Sequence, residues 1–393
     1  MRDARGPQRD LRKPPPAPAN RTVSSVDSET ATHHAGCACL DGRCIQPRRL
    51  RDPGADLRPR RRSVPVGRFD AAIDRWTDID GAGAVDRDEL TLVTFNIWFN
   101  SYFANQRYIA IAELLSRNMP DVIVFQEVTP AALTVFLAQP WIRDSYLRAA
   151  VTGADLGNYG MLMLSRLPIN RATYTRLPTR LARGFLNAEF TINGNPQVIC
   201  SVHLESGKTA SWLRALQLRR IFRALRGADN AVLLGDFNMP DTENDRIKSP
   251  YCDVWPSLRP SDDGFTEDTS VNLMRGDSKN KRRQVRFDRV LLTGPGWAAA
   301  SIDLLGTEPI SSVHPRVFPS DHFGVKCRLT RLPTPAQARG RRLPWNGGGD
   351  RDLPELRPAR NSAWRPSDRR PQTSHRSDNR FRGGRSRLPR APR

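Results

Sequence analysis

Five segments of this chain join an apolar run to polar residues of a restricted set. Thr94-Phe95 runs into Asn96, Val124-Phe125 into Gln126-Glu127, Ser201-Val202 into His203 and Leu234 into Gly235-Asp236-Phe237-Asn238, while Ser320-Asp321-His322 opens the last run. Singly, each has an ordinary explanation: Asn tolerates left-handed turns, Asp after Gly is common in turns, Glu caps helices and His packs in cores. Together, these carboxylates, amides and histidines point to one site, because a sheet fixes where its strands end. Oxygen donors with Asn and without a thiolate suit a hard divalent ion, Mg²⁺ or Mn²⁺. The chemistry that fits is hydrolysis of a phosphodiester or phosphomonoester, which needs an aligned water, a group to orient it and positive charge on the equatorial oxygens. Asp236 with Asn238 can hold the water, and His203 and His322 can donate to the phosphoryl oxygens. Asp288, in Arg286-Phe287-Asp288-Arg289, can orient His322 and favour its charged form. Lys208, after His203-Leu204-Glu205-Ser206-Gly207, completes no Walker pattern.

Such a set needs strands to carry it. Strands are predicted over 90–95, 121–125, 159–165, 185–192, 198–203, 231–234, 285–292, 299–305 and 323–329. The runs at 121–125 and 231–234 are continuously apolar, as expected of strands buried on both faces. Helical spacing predicts helices over 108–115, 131–139 and 209–225. Interleaved strands and helices, with strands in excess, favour an α/β fold of two packed sheets flanked by helices.

The chain has 393 residues and a formal net charge of +21. Residues 1–68 are net +8 and residues 332–393 net +11, leaving +2 for the stretch between them. The ends also hold Pro14-Pro15-Pro16 and Gly347-Gly348-Gly349 with few aliphatic residues, so both read as disordered basic tails, 1–68 and 332–393, around a catalytic domain at 69–331. Tails of this charge suit a polyanion such as nucleic acid. Arg58-Pro59-Arg60-Arg61-Arg62 has the form of a nuclear-import signal, which with a DNA substrate implies an intracellular, nuclear protein. The longest apolar runs, such as 122–125, fall far short of the roughly 20 residues of a membrane span. Met1-Arg2-Asp3-Ala4-Arg5 carries charge and no apolar stretch, which argues against a secretory leader. Cys37, Cys39 and Cys44 lie near His33 and His34 but match no strong zinc spacing. Cys200, Cys252 and Cys327 read as buried small hydrophobes.

The motifs Thr94-Phe95-Asn96, Gln126-Glu127, Ser201-Val202-His203, Gly235-Asp236-Phe237-Asn238 and Ser320-Asp321-His322, in this order, resemble the endonuclease/exonuclease/phosphatase superfamily over roughly residues 90–330. The resemblance implies a four-layer α/β sandwich with a metal site at one edge. It implies that Glu127 binds Mg²⁺, with Asn96 close to the metal-bound phosphate and Asp321 near the metal. Asp236 and Asn238 would activate or position water, and His203 and His322 would stabilise pentavalent phosphorus. Within the superfamily, His203-Leu204-Glu205-Ser206, Arg286-Phe287-Asp288-Arg289-Val290 and Ile302-Asp303-Leu304-Leu305-Gly306 are similar to the tyrosyl-DNA phosphodiesterase branch, which releases tyrosyl adducts from DNA 5′-phosphates. That branch usually carries Thr where Phe237 stands, an Arg at Pro240, and a DNA-supporting aromatic at Glu267. A basic loop over 279–283 is placed to supply a backbone contact instead. The expectation is a Mg²⁺-dependent phosphodiesterase acting on DNA ends. Two alternatives stand beside it: another superfamily hydrolase (an abasic-site or nonspecific nuclease, a sphingomyelinase-like or inositol-phosphate enzyme), and a nucleic-acid-binding protein whose hydrolase domain is secondary.

Overall fold

The computed structural model describes residues 61–81, 83–152, 159–279 and 282–333. The cysteine and histidine cluster at 33–44, most of the two tails and the centre of the basic loop at 280–281 lie outside the described residues. The described chain forms two large mixed sheets. In the first, the order is β1 (Arg61–Val64), β9 (Arg171–Arg176), β10 (Gly184–Ile192), β11 (Asn195–His203), β12 (Ala231–Asp236), β16 (Asp288–Thr293) and β13 (Cys252–Asp253), with β4 (Ala84–Val85) also on β10. In the second it is β17 (Trp297–Leu305), β18 (Gly324–Arg331), β5 (Glu89–Asn96), β6 (Val122–Val128), β8 (Gly160–Ser165), β7 (Leu147–Val151), β2 (Val66–Asp70) and β3 (Arg75–Ile79). A small ribbon pairs β14 (Glu267–Asp268) with β15 (Gln284–Val285).

Side-chain alternation explains the layers. On β5, Leu90 and Leu92 face the other sheet, while Val93 and Phe95 face α1 (Ala104–Ser116) and α2 (Pro130–Leu137). On β6, Val122 and Val124 point inward and Ile123 and Phe125 outward. On β12, Val232 and Leu234 point inward, and Ala231 and Leu233 pack in the cluster that includes Leu218 and Ile221 of α4 (Ser211–Ala224). Helices therefore cover both outer faces, the four-layer α/β sandwich expected. Shorter helices complete the chain: α3 (Pro140–Ser145), α5 (Val254–Leu258) and α6 (Leu273–Lys279).

The observed elements adjust several expectations. The first described strand begins at Arg61, so the boundary expected at residue 69 moves earlier: Arg61 to Val64 pair with Thr175 to Ala172, and Val64 and Val66 join the core between the sheets. Arg61 and Arg62 of the basic run thus lie on an edge strand. The predicted strand 285–292 is two, β15 and β16, because Phe287 and Asp288 turn their backbone amides to the Thr266 hydroxyl. The predicted helix 131–139 ends at Leu137, because Pro140 starts α3. Cys200 and Cys327 are buried, but Cys252, on an edge strand, is exposed. No helix among the described residues is long and apolar enough to cross a membrane.

Candidate active site

The inward parity of each central strand carries straight into polar residues at one end of the sandwich. Leu90, Leu92 and Thr94 lead to Asn96; Val122 and Val124 to Gln126; Ile199 and Ser201 to His203; Val232 and Leu234 to Asp236; and Val290, read backward, to Asp288. Register aligns these ends: Asn96 pairs with Gln126 in the parallel β5–β6 ladder, His203 with Asp236 in the parallel β11–β12 ladder, and Asp236 with Asp288 across β12 and β16. Between the apolar core and the site lies a polar layer. Thr94 Oγ1 donates to Gln126 Oε1 at 3.2 Å, and Gln126 Nε2 donates across to Ser201 Oγ of the other sheet at 3.2 Å.

Glu127 escapes the alternation. The β6–β8 register shifts between Gln126 and Val128, and Glu127 takes a left-handed φ of 62°. Such a bulge re-aims one side chain. Glu127 Oε2 accepts from the Phe99 amide at 3.1 Å, and Oε1 lies 4.0 Å from His203 Nε2. The loop after Asn96 is held by Arg107, fully buried in α1, which donates to the carbonyls of Ile97, Trp98, Asn100, Tyr102 and Pro319. The Pro319 carbonyl leads into Ser320-Asp321-His322, and Ser320 Oγ donates to the Asn96 carbonyl at 2.6 Å. One arginine thus ties the first and last motifs together.

Asp236 is clamped. Its Oδ2 accepts from Asn96 Nδ2 and Asn238 Nδ2, both at 3.0 Å, and its Oδ1 accepts from the Asn238 amide at 2.8 Å. Asn238 adopts the left-handed φ of 49° that lets its backbone turn back onto the carboxylate. Burial, with the Asp288 charge beside it, pushes the Asp236 carboxyl up to about 7. Burial likewise raises Glu127, helped by the Asp321 charge, and raises Asp321.

The two histidines are prepared in opposite states. His203 Nδ1 lies 3.0 Å from Arg183 Nη1. A guanidinium only donates, so Nδ1 is the acceptor and the ring proton sits on Nε2. Burial, then the Arg183 charge, pushes His203 well below the ordinary imidazole range, so it is neutral. Its Nε2 is buried without a hydrogen-bond partner among the described residues, 3.5 Å from Asp236 Oδ2. His322 Nδ1 lies 2.8 Å from Asp288 Oδ2. Burial disfavours the cation there, but Asp288 outweighs it, with Asp321 and Asp236 adding to the effect, and His322 is held well above the ordinary range.

The donors suit a hard cation. Asp321 is buried and Glu127 partly buried; burial raises both carboxyls, with the Asp321 charge adding at Glu127 and the Glu267 charge at Asp321, and a divalent ion would offset this. A second grouping, Asp236, Asp288 and His322, has ligand atoms within 4.8 Å of one another. There the His322–Asp288 hydrogen bond already engages Nδ1. Glu127 and Asp321 stand outside that grouping, Glu127 4.0 Å from His203 Nε2 and Asp321 3.3 Å from Arg275 Nη1.

The Endonuclease/Exonuclease/phosphatase family profile matches residues 93–322. This chain belongs to that family. Members are hydrolases of phosphoric ester bonds and depend on a divalent metal, and this chain is an enzyme of that class. Human tyrosyl-DNA phosphodiesterase 2 is 27% identical over 254 residues, covering 61% of this chain and 67% of that protein. The Xenopus laevis tyrosyl-DNA phosphodiesterase 2 is 28% identical over 261 residues, covering 62% and 67%. The chain thus spans about two thirds of the length of these relatives. The fold matches D. rerio TDP2 complexed with single-strand DNA product, with a TM-score of 0.55 at 24% identity over 62% of this chain and 100% of that one. Truncated Caenorhabditis elegans TDP2 gives 0.53 at 23% identity over 62% and 97%.

The family motifs do not contain every residue at the site. Arg183 is buried just before β10, and besides His203 it holds the Tyr159 hydroxyl at 2.9 Å, with its guanidinium 5.6 Å from the Tyr159 ring centroid. Tyr159 in turn stacks on the half-exposed Phe99 at 4.7 Å. Neither Arg183 nor Phe99 stood out in the sequence: one sits in a loop-like stretch, the other three residues past a motif. The sequence departures also find places. Phe237 turns away from the site into the cluster under α4. Glu267 is buried, with Oε1 2.8 Å from Arg275 Nε and Oε2 2.9 Å from Arg283 Nη1, and Arg275 Nη1 lies 3.3 Å from Asp321 Oδ2. An ionic lining thus stands where an aromatic support was expected, and Arg283 of the basic loop is engaged with Glu267.

Proposed function

We propose that this enzyme is a Mg²⁺-dependent phosphodiesterase that hydrolyses 5′-phosphotyrosyl or related phosphodiester bonds at DNA ends, and so acts in DNA repair in the nucleus. The observation that carries the reading is the pairing of one neutral and one charged histidine around a clamped aspartate. Glu127 and Asp321, with Asn96, would hold Mg²⁺, which supplies charge neutralisation on a phosphoryl oxygen when bound. Asn96, the Asn238 amide and the Asn238 backbone fix the Asp236 carboxylate so that its remaining lone pairs meet the attacking water in one orientation. Asp236 takes the proton of that water; an acceptor near neutrality is well matched to the task. His203 offers a neutral Nε2–H to one phosphoryl oxygen, and the His322 imidazolium, oriented by Asp288, offers a charged donor to another. Tyr159, Phe99 and Arg183 form an aromatic and cationic shelf beside Glu127, suited to an aryl leaving group. The names of the relatives, tyrosyl-DNA phosphodiesterase 2, support the same substrate.

The test is a substrate panel with the purified full chain and Mg²⁺: a 5′-phosphotyrosyl oligonucleotide, abasic duplex, sphingomyelin and inositol phosphates. Preferred turnover of the tyrosyl oligonucleotide is expected. Turnover of abasic DNA or of a lipid or inositol phosphate, with the tyrosyl substrate ignored, would overturn the substrate reading.

A further inference from the structure

Helix α4 begins eight residues after His203 and carries four arginines and no acidic residue. Its inner face is used: Leu218 and Ile221 pack on the sheet, Leu213 is buried, and Arg214 is buried against Glu243. Its outer face is of a different kind. Trp212, Arg219 and Arg223, with Arg226 just past the helix end, follow one another at intervals of seven, four and three residues, which places them on a single stripe. All four are exposed, Trp212 by 51%. None of the three arginines has an ion-pair partner among the described residues.

This arrangement is unfavourable for the protein alone. Arg219 and Arg223 are four residues apart on the helix, with Arg226 three further on just past its end, so their like charges repel one another. A solvated helix usually mixes its charges. An anionic partner would convert the repulsion into attraction. At about 1.5 Å per residue the stripe runs roughly 21 Å from Trp212 to Arg226, the span of about six base pairs at roughly 3.4 Å each. Its near end follows the loop that leaves His203, so it starts at the site. With Trp212 as its only fully exposed aromatic, the face lacks the apolar area that a membrane-binding helix inserts.

We propose that the outer face of α4 is a docking track for the phosphate backbone of a nucleic-acid duplex extending away from the bond being cut. The inference rests on the DNA-end reading above and names a second contact for the same substrate, beyond reach of the reacting phosphate. Arg219, Arg223 and Arg226 would each meet a backbone phosphate, and Trp212 would cover the sugar or base nearest the site.

The test compares the full wild-type chain with R219Q/R223Q/R226Q and R219K/R223K/R226K. Binding to a fluorescent 20-base-pair duplex with hydroxyl ends is titrated against salt in EDTA, so that no turnover enters. The basic tails are common to all three proteins, and the difference isolates the helix. Loss of three phosphate contacts lowers the slope of log affinity against log salt by about 2.7, so that the wild-type advantage shrinks about 40-fold between 50 and 200 mM salt. The Lys variant keeps the wild-type slope. Turnover of a mononucleotide aryl phosphodiester, too short to reach the helix, is the same in all three. An unchanged slope in the Gln variant overturns the proposal. So does a Gln variant that loses binding to phosphatidylserine vesicles while its DNA slope stays as in the wild type, which would make the partner a membrane surface. Failure of the wild type to cleave any DNA-end substrate would count against the function proposed above and leave the binding slopes to decide this one.

Discussion

Replacing Arg183 with Met removes the group that sets the state of His203. The guanidinium is buried, donates to His203 Nδ1 at 3.0 Å and to the Tyr159 hydroxyl at 2.9 Å, and keeps the imidazole proton on Nε2. Met fills most of the volume without the donors or the charge. His203 Nδ1 is then a buried acceptor without a partner, and the ring loses the contact that fixes its orientation, so its Nε2 donor is no longer held toward the phosphoryl oxygen. A hydrogen bond to a charged group contributes about 1.5–3 kcal/mol. At about 1.4 kcal/mol per decade that is roughly a 10- to 140-fold fall in rate. The assay is steady-state kinetics on two phosphodiesters with the same nucleotide, one with an aryl and one with an alkyl leaving group. If Arg183 acts through His203, kcat falls equally for both, because the phosphoryl oxygens are common to them. If it acts only on the leaving ring, the aryl substrate alone suffers. Melting temperature and circular dichroism are read in parallel. A folded R183M enzyme within threefold of wild type on both substrates refutes the assignment of the His203 tautomer.

Other expectations follow from the same geometry. E127Q and D236N are each expected to lower kcat by about 10³-fold or more without unfolding the domain, and comparable activity in either variant and wild type would remove the site assignment. Chelation is expected to abolish turnover, with Mg²⁺ or Mn²⁺ restoring it; Mg²⁺ should also raise the melting temperature of wild type more than that of E127Q, because burial, with the Asp321 charge beside it, disfavours the charged Glu127 carboxylate and a bound cation would offset that cost. E243Q should destabilise the fold by about 3 kcal/mol by leaving the buried Arg214 without its carboxylate, as read by urea unfolding at pH 7. Burial pushes Glu243 up but the Arg214 hydrogen bonds and charge hold it below its usual value, so this contribution is present above the unfolded carboxylate range and is lost as the pH falls through the folded value; the difference between wild type and E243Q should shrink as the pH falls below the usual glutamate range.

The parts of the site that were legible are those that repeat a strand rule. Asn96, His203 and Asp236 sit at the same inward parity as the apolar residues before them, so an apolar run and the polar residue at its end located them, while Asp288, at the start of its strand, was singled out as a partner for His322. Glu127 was also found as a polar residue at a strand end, but its metal-binding role came from the resemblance, because alternation predicts that it faces the helices; a bulge at φ 62° is a property of the β6–β8 pairing and leaves no local mark. Arg107 was hidden by its own pattern: an arginine among Tyr108, Ile111 and Leu115 reads as a solvated position, yet it is fully buried because five loop carbonyls solvate it in place of water. Arg183 was hidden by its surroundings, since it precedes β10 in a stretch without period. Net charge misled in a similar way. The near-neutral +2 of the stretch between the tails is an average over a carboxylate-rich site and an arginine stripe on α4.

That division of charge has a structural consequence. Each sheet supplies one half of the site: Asn96, Glu127 and the turn to Asp321 belong to one, and His203, Asp236 and Asp288 to the other. Polar bonds tie the halves together, among them Gln126 to Ser201, Asn96 to Asp236 and Arg183 to the Tyr159 hydroxyl. Gly235 makes the close fit possible. Its φ is +149°, and a Cβ there would lie 2.0 Å from the Val202 carbonyl oxygen in β11. That backbone oxygen belongs to a strand paired on both sides and has nowhere to move. G235A is therefore expected to part β11 from β12 at the residues next to His203 and Asp236, at a cost of more than about 3 kcal/mol. The conformational penalty and the displacement act together, so the variant should lose both stability and turnover. A G235A enzyme with wild-type melting temperature would show that the two ladders can shift independently, and that the site does not depend on their register.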